Sequence, residues 1–458
     1  FWIDSASLPT YPKLNRDVEV DVIVIGAGIT GITAAYLAKQ AGKTVALIDR
    51  GRCAAVDTGH TTAHLTAVTD IRLKNIARTF GRDAARATWD AGMAAIDQIT
   101  GLIRHEGISC DFHWVPGFLH APMRNADPAR IEELEAEAAF ARELGIKAEM
   151  LPAVPLFNVP GVKFSHQAIF HPRKYLRALL QSIPGAGSYV FEDTNANEIT
   201  DEPLTVRSGQ HRIRGGYLIL ATHTPLQGVT GTLGALLFQT KLALYSSYVV
   251  GGTVPKGRLP TASFWDNGDP YDYLRIEPRH DHDYVIFGGE DHKTGQKTDT
   301  EEPYRRLEKR LRTYLPDVKI DHHWSGQVIE TNDGLPFIGE TARHQFAATG
   351  FSGNGMTFGT LGAMMAIDSL LQKPNPWAEL FAINRSKILG GTWRYLAENK
   401  DYPYHFIRDW LARGEGDSTA QLARGEGRIL KLDGKKVAAY RDDHGAVTLC
   451  SPVCTHLK

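Results

Sequence analysis

The sequence predicts an α/β protein: a discontinuous domain on a parallel sheet, an antiparallel-sheet domain inserted into it, and the start of a small all-β module at the C-terminus. Three observations predict this. A continuous apolar, β-branched run, "VDVIVIG", opens a strand–turn–helix–strand unit within the first fifty residues. Strand-like segments recur in residues 107–160 and 236–325, between later glycine-rich turns. After the polar stretch "GEGDSTAQLARGEG" the texture changes to three short runs divided by Asp-Gly and Asp-His-Gly turns.

The chain has 458 residues, room for two or three domains with their own cores. With 43% hydrophobic and 22% charged residues and a net charge of −1, it has no basic surplus for nucleic acid and no acidic tail. No run approaches the roughly 18 apolar residues of a membrane helix. The N-terminus has no basic-then-apolar signal layout and no initiator Met, so a chain trimmed at the front is expected. Four cysteines (Cys53, Cys110, Cys450, Cys454) do not make a disulfide framework, which points to a reducing, cytoplasmic setting.

The first unit is legible residue by residue. Gly26, Gly28 and Gly31 fill G-x-G-x-x-G in "GAGITG", with Ala27, Ile29 and Thr30 between them. Gly26 permits the tight turn, Gly28 lets a pyrophosphate approach the backbone, and Gly31 lets the helix pack on the strand. "ITAAYLAKQAG" reads as that helix, ended by Gly42, and "KTVALID" as the second strand. Asp49 closes it, 23 residues after Gly26 and followed by Arg50, placed to accept from a ribose 2′-OH. An acid there disfavours the 2′-phosphate of NADP.

Three later stretches extend the site. "GGYLILATHTPL" (215–226) is a buried strand ending at Ala221 and Thr222. "TNDGLPFIG" (331–339) is a tight turn around Asp333. "AATGFSGNGMTFGTLGAMMAIDSLL" (347–371) is a strand, a glycine-rich turn (Gly350, Phe351, Gly353, Asn354, Gly355, Met356, Thr357) and an apolar helix. That helix N-terminus offers N–H groups and a positive dipole end to an electron-rich ring edge. No second G-x-G-x-x-G occurs, so one bound FAD and no bound nicotinamide is the simpler reading.

In the order and spacing of these four motifs the sequence resembles the FAD-dependent D-amino-acid oxidase/glycine oxidase superfamily, over roughly residues 18–375. The resemblance implies a glutathione-reductase-type FAD domain from residues 18–105, 161–235 and 326–375, and a substrate domain from 106–160 and 236–325. Residues 376–427 would form a helical segment and linker. It also implies a flavin-contacting stretch, matched here by "DTGHTTAHLTA" (57–67) with Thr61, Thr62, Ala63 and Leu65, and a further contact at Ala196. Some relatives attach FAD covalently through a His in this loop; Thr61 falls at that position with His60 one residue off, which favours non-covalent FAD.

Over the flavin, "ISCDFHWVPGFLHA", "FQTKLALYSSYVV", "YDYLRIEP" and "YVIFGGED" read as strands of one sheet, and "PARIEELEAEAAFARELG" as an amphipathic helix. A substrate carboxylate would want an Arg fork, for which Arg275 is the candidate; the alternative is a strand Arg paired with a neighbouring acid. Lys241, Tyr245, Tyr248 and His292 are candidates for the cavity, Lys241 also for oxygen reactivity by resemblance. "HDHD" (280–283) reads as a hairpin turn rather than a metal site.

Residues 428–458 end in "SPVCTHLK". Cys454-x-His456 after a β-meander resembles the first ligand loop of a Rieske [2Fe–2S] domain, which implies Cys454 and His456 as metal ligands. The second Cys-x-x-His loop is missing; Cys110 and His113 have the spacing but belong to the other sheet. A cluster is therefore expected only in a longer chain. The combination resembles a bacterial family of FAD-dependent oxidoreductases with a C-terminal Rieske domain. The expected function is oxidation of a C–N bond in a small amine or amino acid, with electrons passed through the Rieske domain to an acceptor protein or quinone. An oxygen-using oxidase with a structural Rieske domain and a non-catalytic electron carrier remain open, as does oligomeric state.

Overall fold

The computed structural model describes residues 1–123, 127–224, 241–385, 418–419, 422–432 and 435–450. The chain divides into two units, residues 1–228 with 242–391, and residues 229–241 with 392–458.

Two sheets organise the larger unit. The first runs Phe337–Ala342, Gln345–Thr349, His211–Leu220, Val18–Ile25, Val45–Ile48, Tyr189–Phe191. From Gln345–Thr349 onward every neighbour is parallel. Val18–Ile25 holds the middle because Val22, Ile23 and Val24 are buried on both faces, as a parallel sheet covered by helices requires. A hairpin, Glu198–Asp201 and Leu204–Ser208, hangs off His211–Leu220. Ile29–Gln40 follows the glycine turn and packs against Gly355–Leu370; a Cβ at Gly359 would lie 2.7 Å from Thr30 Oγ1. The sequence reading of both helices and their strands holds here.

The second sheet runs Lys319–Thr331, Leu242–Pro255, His282–Lys293, Tyr273–Pro278, Ser263–Asp266, His113–His120, Gly161–Ile169, His64–Leu65, with Ala148–Leu151 beside Gly161–Ile169. It is antiparallel except where Ser263–Asp266 meets His113–His120 in parallel. Its membership differs from the expected boundaries. Gly161–Ile169 lies in this sheet, so a break at 161 separates it from its partner His113–His120. Lys319–Thr331 runs through the expected break at 326 because its whole length pairs with Leu242–Pro255. His64–Leu65 adds an edge strand from the threonine-rich stretch.

One face of this sheet packs on the helix Glu302–Tyr314 through Phe118, Tyr248, Val250, Phe264, Leu274, Ile276 and Phe287. Alternation sends Val249, Trp265, Tyr284 and Ile286 to the other face, into the core shared with the first sheet. Pro128–Glu143 is the expected helix, burying Leu134, Glu137, Ala138 and Ala141 and N-capped by Asp127, which accepts from Ala129 N at 3.0 Å. Among the described residues no helix is long and apolar enough to cross a membrane.

In the smaller unit, Gly427–Leu432, Lys435–Arg441 and Val447–Cys450 form an antiparallel meander, the three strands expected. Among the described residues its buried core is Leu422, Leu430 and Ala439. Tyr440 and Leu449 are exposed.

Candidate functional site

At the C-terminal end of Val18–Ile25 the chain turns sharply. Gly26 has φ +98°, and a Cβ there would lie 2.4 Å from Ala221 O. A Cβ at Gly31 would sit 1.8 Å from Gly26 O, so strand and helix touch through their backbones. Gly28 differs: a Cβ would meet only Thr58 Oγ1, at 3.0 Å, and Ile29 N donates to that same oxygen. The cradle in front of the helix N-terminus is therefore open, as a pyrophosphate needs. Asp49 Oδ2 accepts from Ala27 N at 2.7 Å and Oδ1 from Gly51 N at 2.9 Å. Each oxygen keeps a lone pair for a ribose hydroxyl. Ala221 N donates to Ile25 O, which draws Ala221 and Thr222 beside the turn. Thr194 N donates to Asp49 O, with half-buried Ala196 two residues on. Arg50 is exposed. On this geometry the residues present fit a dinucleotide.

The threonine-rich stretch is pinned from several sides. Trp2 Nε1 donates to Thr61 O at 2.6 Å, and Thr61 Oγ1 accepts from Ala63 N at 2.9 Å. Ala63 is buried at φ +56°. Leu65 is buried, and Thr66 N donates to Thr357 Oγ1 at 3.2 Å. Asn354 Nδ2 donates to the carbonyls of Thr66 and Val68. The stretch and the glycine-rich turn thus form one wall. Gly350, at φ +73°, meets Thr331; Phe351 lies beside it, half-buried, and Met356 is buried on the helix. Gly355 has open space where a Cβ would stand.

Asp333 has another occupation. Its carboxylate accepts from Thr331 Oγ1 and Leu335 N and forms a bidentate pair with Arg385 at 2.7 Å. It shapes the turn rather than reaching toward the cradle.

The substrate-side expectations change most. Arg275 is 0% exposed. Its Nη1 donates to Thr62 O at 2.9 Å and Ala63 O at 2.6 Å, its Nη2 to Phe170 O at 2.8 Å and to the Glu277 carboxylate. Its guanidinium lies 5.0 Å from the Trp2 ring centroid. The fork is filled by the protein, so Arg275 anchors the flavin-side stretch and is not a substrate clamp. Tyr248 and His292 do touch, Oη to Nε2 at 3.0 Å. They do so on the face covered by Glu302–Tyr314, where Tyr304 packs edge-on to Tyr248. Strand alternation turns both away from the glycine-rich turn, which corrects their expected cavity role. Lys241 is half-buried, immediately before Leu242, and Tyr245 is half-buried within that strand. "HDHD" is the expected hairpin turn: Arg279 N donates to His282 O, and Asp283 accepts from Gly257 N.

The opposite face carries groups the sequence reading passed over. Ser247 and Tyr273 join hydroxyl to hydroxyl at 2.7 Å. Tyr271 stacks obliquely on Tyr273, centroids 5.8 Å apart, and its hydroxyl reaches Asp70. Asp70 Oδ2 accepts from Gly353 N at 2.7 Å, so this cluster stands at the glycine-rich turn. Asp291 joins it, its Oδ1 buried without a hydrogen-bond partner. Burial, then Asp70, Asp272 and Glu290, push its carboxyl up to about 7, against a bond from Ser247 that lowers it. His64, beside Tyr273 and Trp265, has a buried, unpartnered Nε2. Burial and the nearby Arg275 charge lower it to about 3, so it is neutral. The signal was available: Asp291 precedes the candidate His292, and period-two alternation puts neighbours on opposite faces.

Among the described residues no group of three or more His, Cys, Asp or Glu could hold a metal ion. Cys454 and His456 lie outside the described residues. Cys110 is buried and His113 exposed.

The family described as "FAD dependent oxidoreductase", DAO, matches residues 21–368. A Bacillus subtilis (strain 168) protein, YhfW, provisionally named a Rieske 2Fe-2S iron-sulfur protein, is 30% identical over 464 residues, covering 100% of this chain and 89% of that one. The gamma-glutamylputrescine oxidoreductase of Escherichia coli (strain K12) is 23% identical over 359 residues, 76% of this chain and 82% of that one. Among solved structures, glycine oxidase from Geobacillus kaustophilus superposes with a TM-score of 0.66 at 16% identity, covering 81% of this chain and 99% of that one.

Proposed function

The chain belongs to the DAO family of FAD-dependent oxidoreductases, and from that membership we propose that it oxidises a C–N bond of a small amine or amino acid. The observation that carries this reading is the junction at Gly353. There Asp70, which bonds Tyr271 just ahead of the strand Tyr273–Pro278, accepts directly from Gly353 N of the glycine-rich turn. Bound FAD would supply a two-electron acceptor for a hydride from carbon.

The chain's own residues hold, order and enclose. Gly26, Gly28 and Gly31 shape the pyrophosphate cradle, and Asp49 faces the ribose. Arg275 fixes the carbonyls of Thr62 and Ala63, so the stretch lying along the cofactor is rigid. Tyr273, Trp265 and the second sheet cover the reacting side and exclude water, which strengthens every polar contact within. FAD is held without a covalent bond. Thr61 spends its hydroxyl on Ala63 N, and His60 Nδ1 faces Val56 O.

In a longer chain Cys454 and His456 would hold half of a Rieske cluster, which would supply a one-electron acceptor. The Rieske name of YhfW and the β-meander before these residues support this. A protein or quinone is the acceptor; an oxidase using oxygen directly is the second reading, supported by the glycine oxidase fold.

Anaerobic mixing of the FAD-loaded protein with a panel of amines, amino acids and N-methyl amino acids tests the reading. At least one class should bleach the flavin within a few turnovers. Full flavin occupancy with no bleaching by any of them would make the protein a carrier instead.

A further inference from the structure

Resting on that reading, we infer that the site recognises its substrate by positive charge: Asp291, with Tyr271, Tyr273 and Asp70 around it, binds the ammonium of a cationic amine, and no arginine fork receives a carboxylate there.

Four observations carry this. The first is that Asp291 Oδ1 is enclosed by protein yet unpartnered. An unpaired buried acceptor is costly, more so when charged, and persists where a ligand completes it. The second is His64 Nε2, an independent buried polar atom without a partner, beside Tyr273. Two orphaned groups of different elements at one aromatic corner mark a place for a ligand rather than a packing fault. The third is the ring pair. The ring centroids of Tyr271 and Tyr273 lie 5.8 Å apart with their planes tilted by 53°, and tyrosine rings attract an ammonium through their quadrupoles. The fourth is the disposition of arginines. Arg275, on this face, is consumed by Thr62, Ala63, Phe170 and Glu277. Arg310 is consumed by Glu290 and Asp272 from the helix side.

The electrostatics agree. Asp70, Asp272 and Glu290 each raise the Asp291 carboxyl, and Glu330 with Asp70 and Asp291 raises Tyr271. Arg310 balances Asp272 and Glu290 from the helix side, and Asp70 and Asp291 give the corner itself its acidic character, which suits a cation better than a substrate carboxylate. His64, held neutral, adds no opposing charge.

The test uses tetramethylammonium, a cation that neither titrates nor can be oxidised by hydride loss, and benzoate as its anionic counterpart. Each is titrated into the FAD-loaded protein and followed by the flavin absorbance shift. Tetramethylammonium should give a saturable shift and benzoate none. Its affinity should fall as pH drops below about 7, approaching tenfold per unit, as Asp291 takes a proton. Asp291→Asn should weaken it at least tenfold at pH 8 with flavin content unchanged, and Asp291→Glu should restore it to within a few-fold. If Asp291→Asn loads no FAD, the pH profile of the unsubstituted protein decides alone. Benzoate binding without cation binding, or cation binding flat from pH 5 to 8, would overturn the inference. The proposed reaction is judged separately: bleaching by zwitterionic amino acids but not by diamines keeps the C–N reading and rejects the cationic pocket. Cation binding with no bleaching by any amine keeps the pocket and rejects the reaction.

Discussion

A guanidinium enclosed by three carbonyls and a carboxylate cannot be deleted without leaving all four exposed to nothing. Arg275→Met should therefore act on folding. Breaking a buried pair from one side costs about 3–5 kcal/mol, and here the carbonyls of Thr62, Ala63 and Phe170 are orphaned as well. The expected result is a lowered urea midpoint and FAD lost on gel filtration, with KM and kcat falling together in whatever enzyme survives. A selective rise in KM with normal stability would return Arg275 to the substrate. Asp291 works the opposite way. Its carboxyl stands at about 7 in the folded chain against an ordinary 3.8 for an aspartate, so the native state holds a proton that the unfolded chain releases. Its contribution to stability is complete below pH 4, falls as pH rises toward 7, and is gone above it, a loss of about 4 kcal/mol. Asp291→Asn removes the charged form. In urea melts the variant should match the parent at pH 4 and exceed it at pH 8, while losing affinity for cations. Equal stability at both pH values would mean that solvent reaches the carboxylate.

Among elements, the glycine turn before Ile29–Gln40 separates binding from folding. At Gly31 any Cβ strikes Gly26 O at 1.8 Å, so Gly31→Val should prevent strand and helix from closing and leave little native protein. At Gly28 a Cβ meets only a threonine hydroxyl, so Gly28→Val should fold, keep its circular dichroism, and bind no FAD. Two folded variants with normal flavin content would refute the cradle. These elements were legible because local signals agreed: an apolar run, a fixed glycine spacing, a helix and a terminal acid, all within fifty residues. The second sheet was legible strand by strand but not in its membership. Gly161–Ile169 and His64–Leu65 join it through pairing with residues far away in sequence, which no local period records. The side chains at the site fared worse for a related reason. Arg275 has the residue type of a carboxylate clamp, and only the fold shows Thr62, Ala63 and Phe170 reaching it first. The order of Asp291 and His292 was plain, but which of two faces meets the glycine turn is settled by the helix Glu302–Tyr314 covering the other.

At the scale of the molecule, the flavin chemistry and the C-terminal β-meander fall in different units. Every nucleotide motif, from Gly26 to Thr357, lies in the larger one, whose core among the described residues includes none of the meander. The meander has its own small core of Leu422, Leu430 and Ala439. Loss of Cys454 and His456 should therefore leave the first half-reaction intact. In the doubly substituted chain (Cys454→Ser, His456→Ala), flavin content and the anaerobic bleaching rate should stay within twofold of the parent. A Rieske cluster takes four protein ligands, two thiolates and two imidazoles. As the proposed ligands, Cys454 and His456 would supply two of them, and buried Cys110 with exposed His113 makes a poor second pair. The 458-residue chain should then carry FAD without stoichiometric iron. A protein continuing through a second Cys-x-x-His loop should gain a Rieske-type EPR signal and faster transfer to a one-electron acceptor such as ferricyanide. Imidazole on one iron would raise the cluster's potential above that of an all-cysteine cluster, which favours it as an electron acceptor. Stoichiometric iron in the 458-residue chain would place the cluster's ligands elsewhere, and slowed bleaching in the double variant would show that the two units are coupled before any electron reaches the cluster.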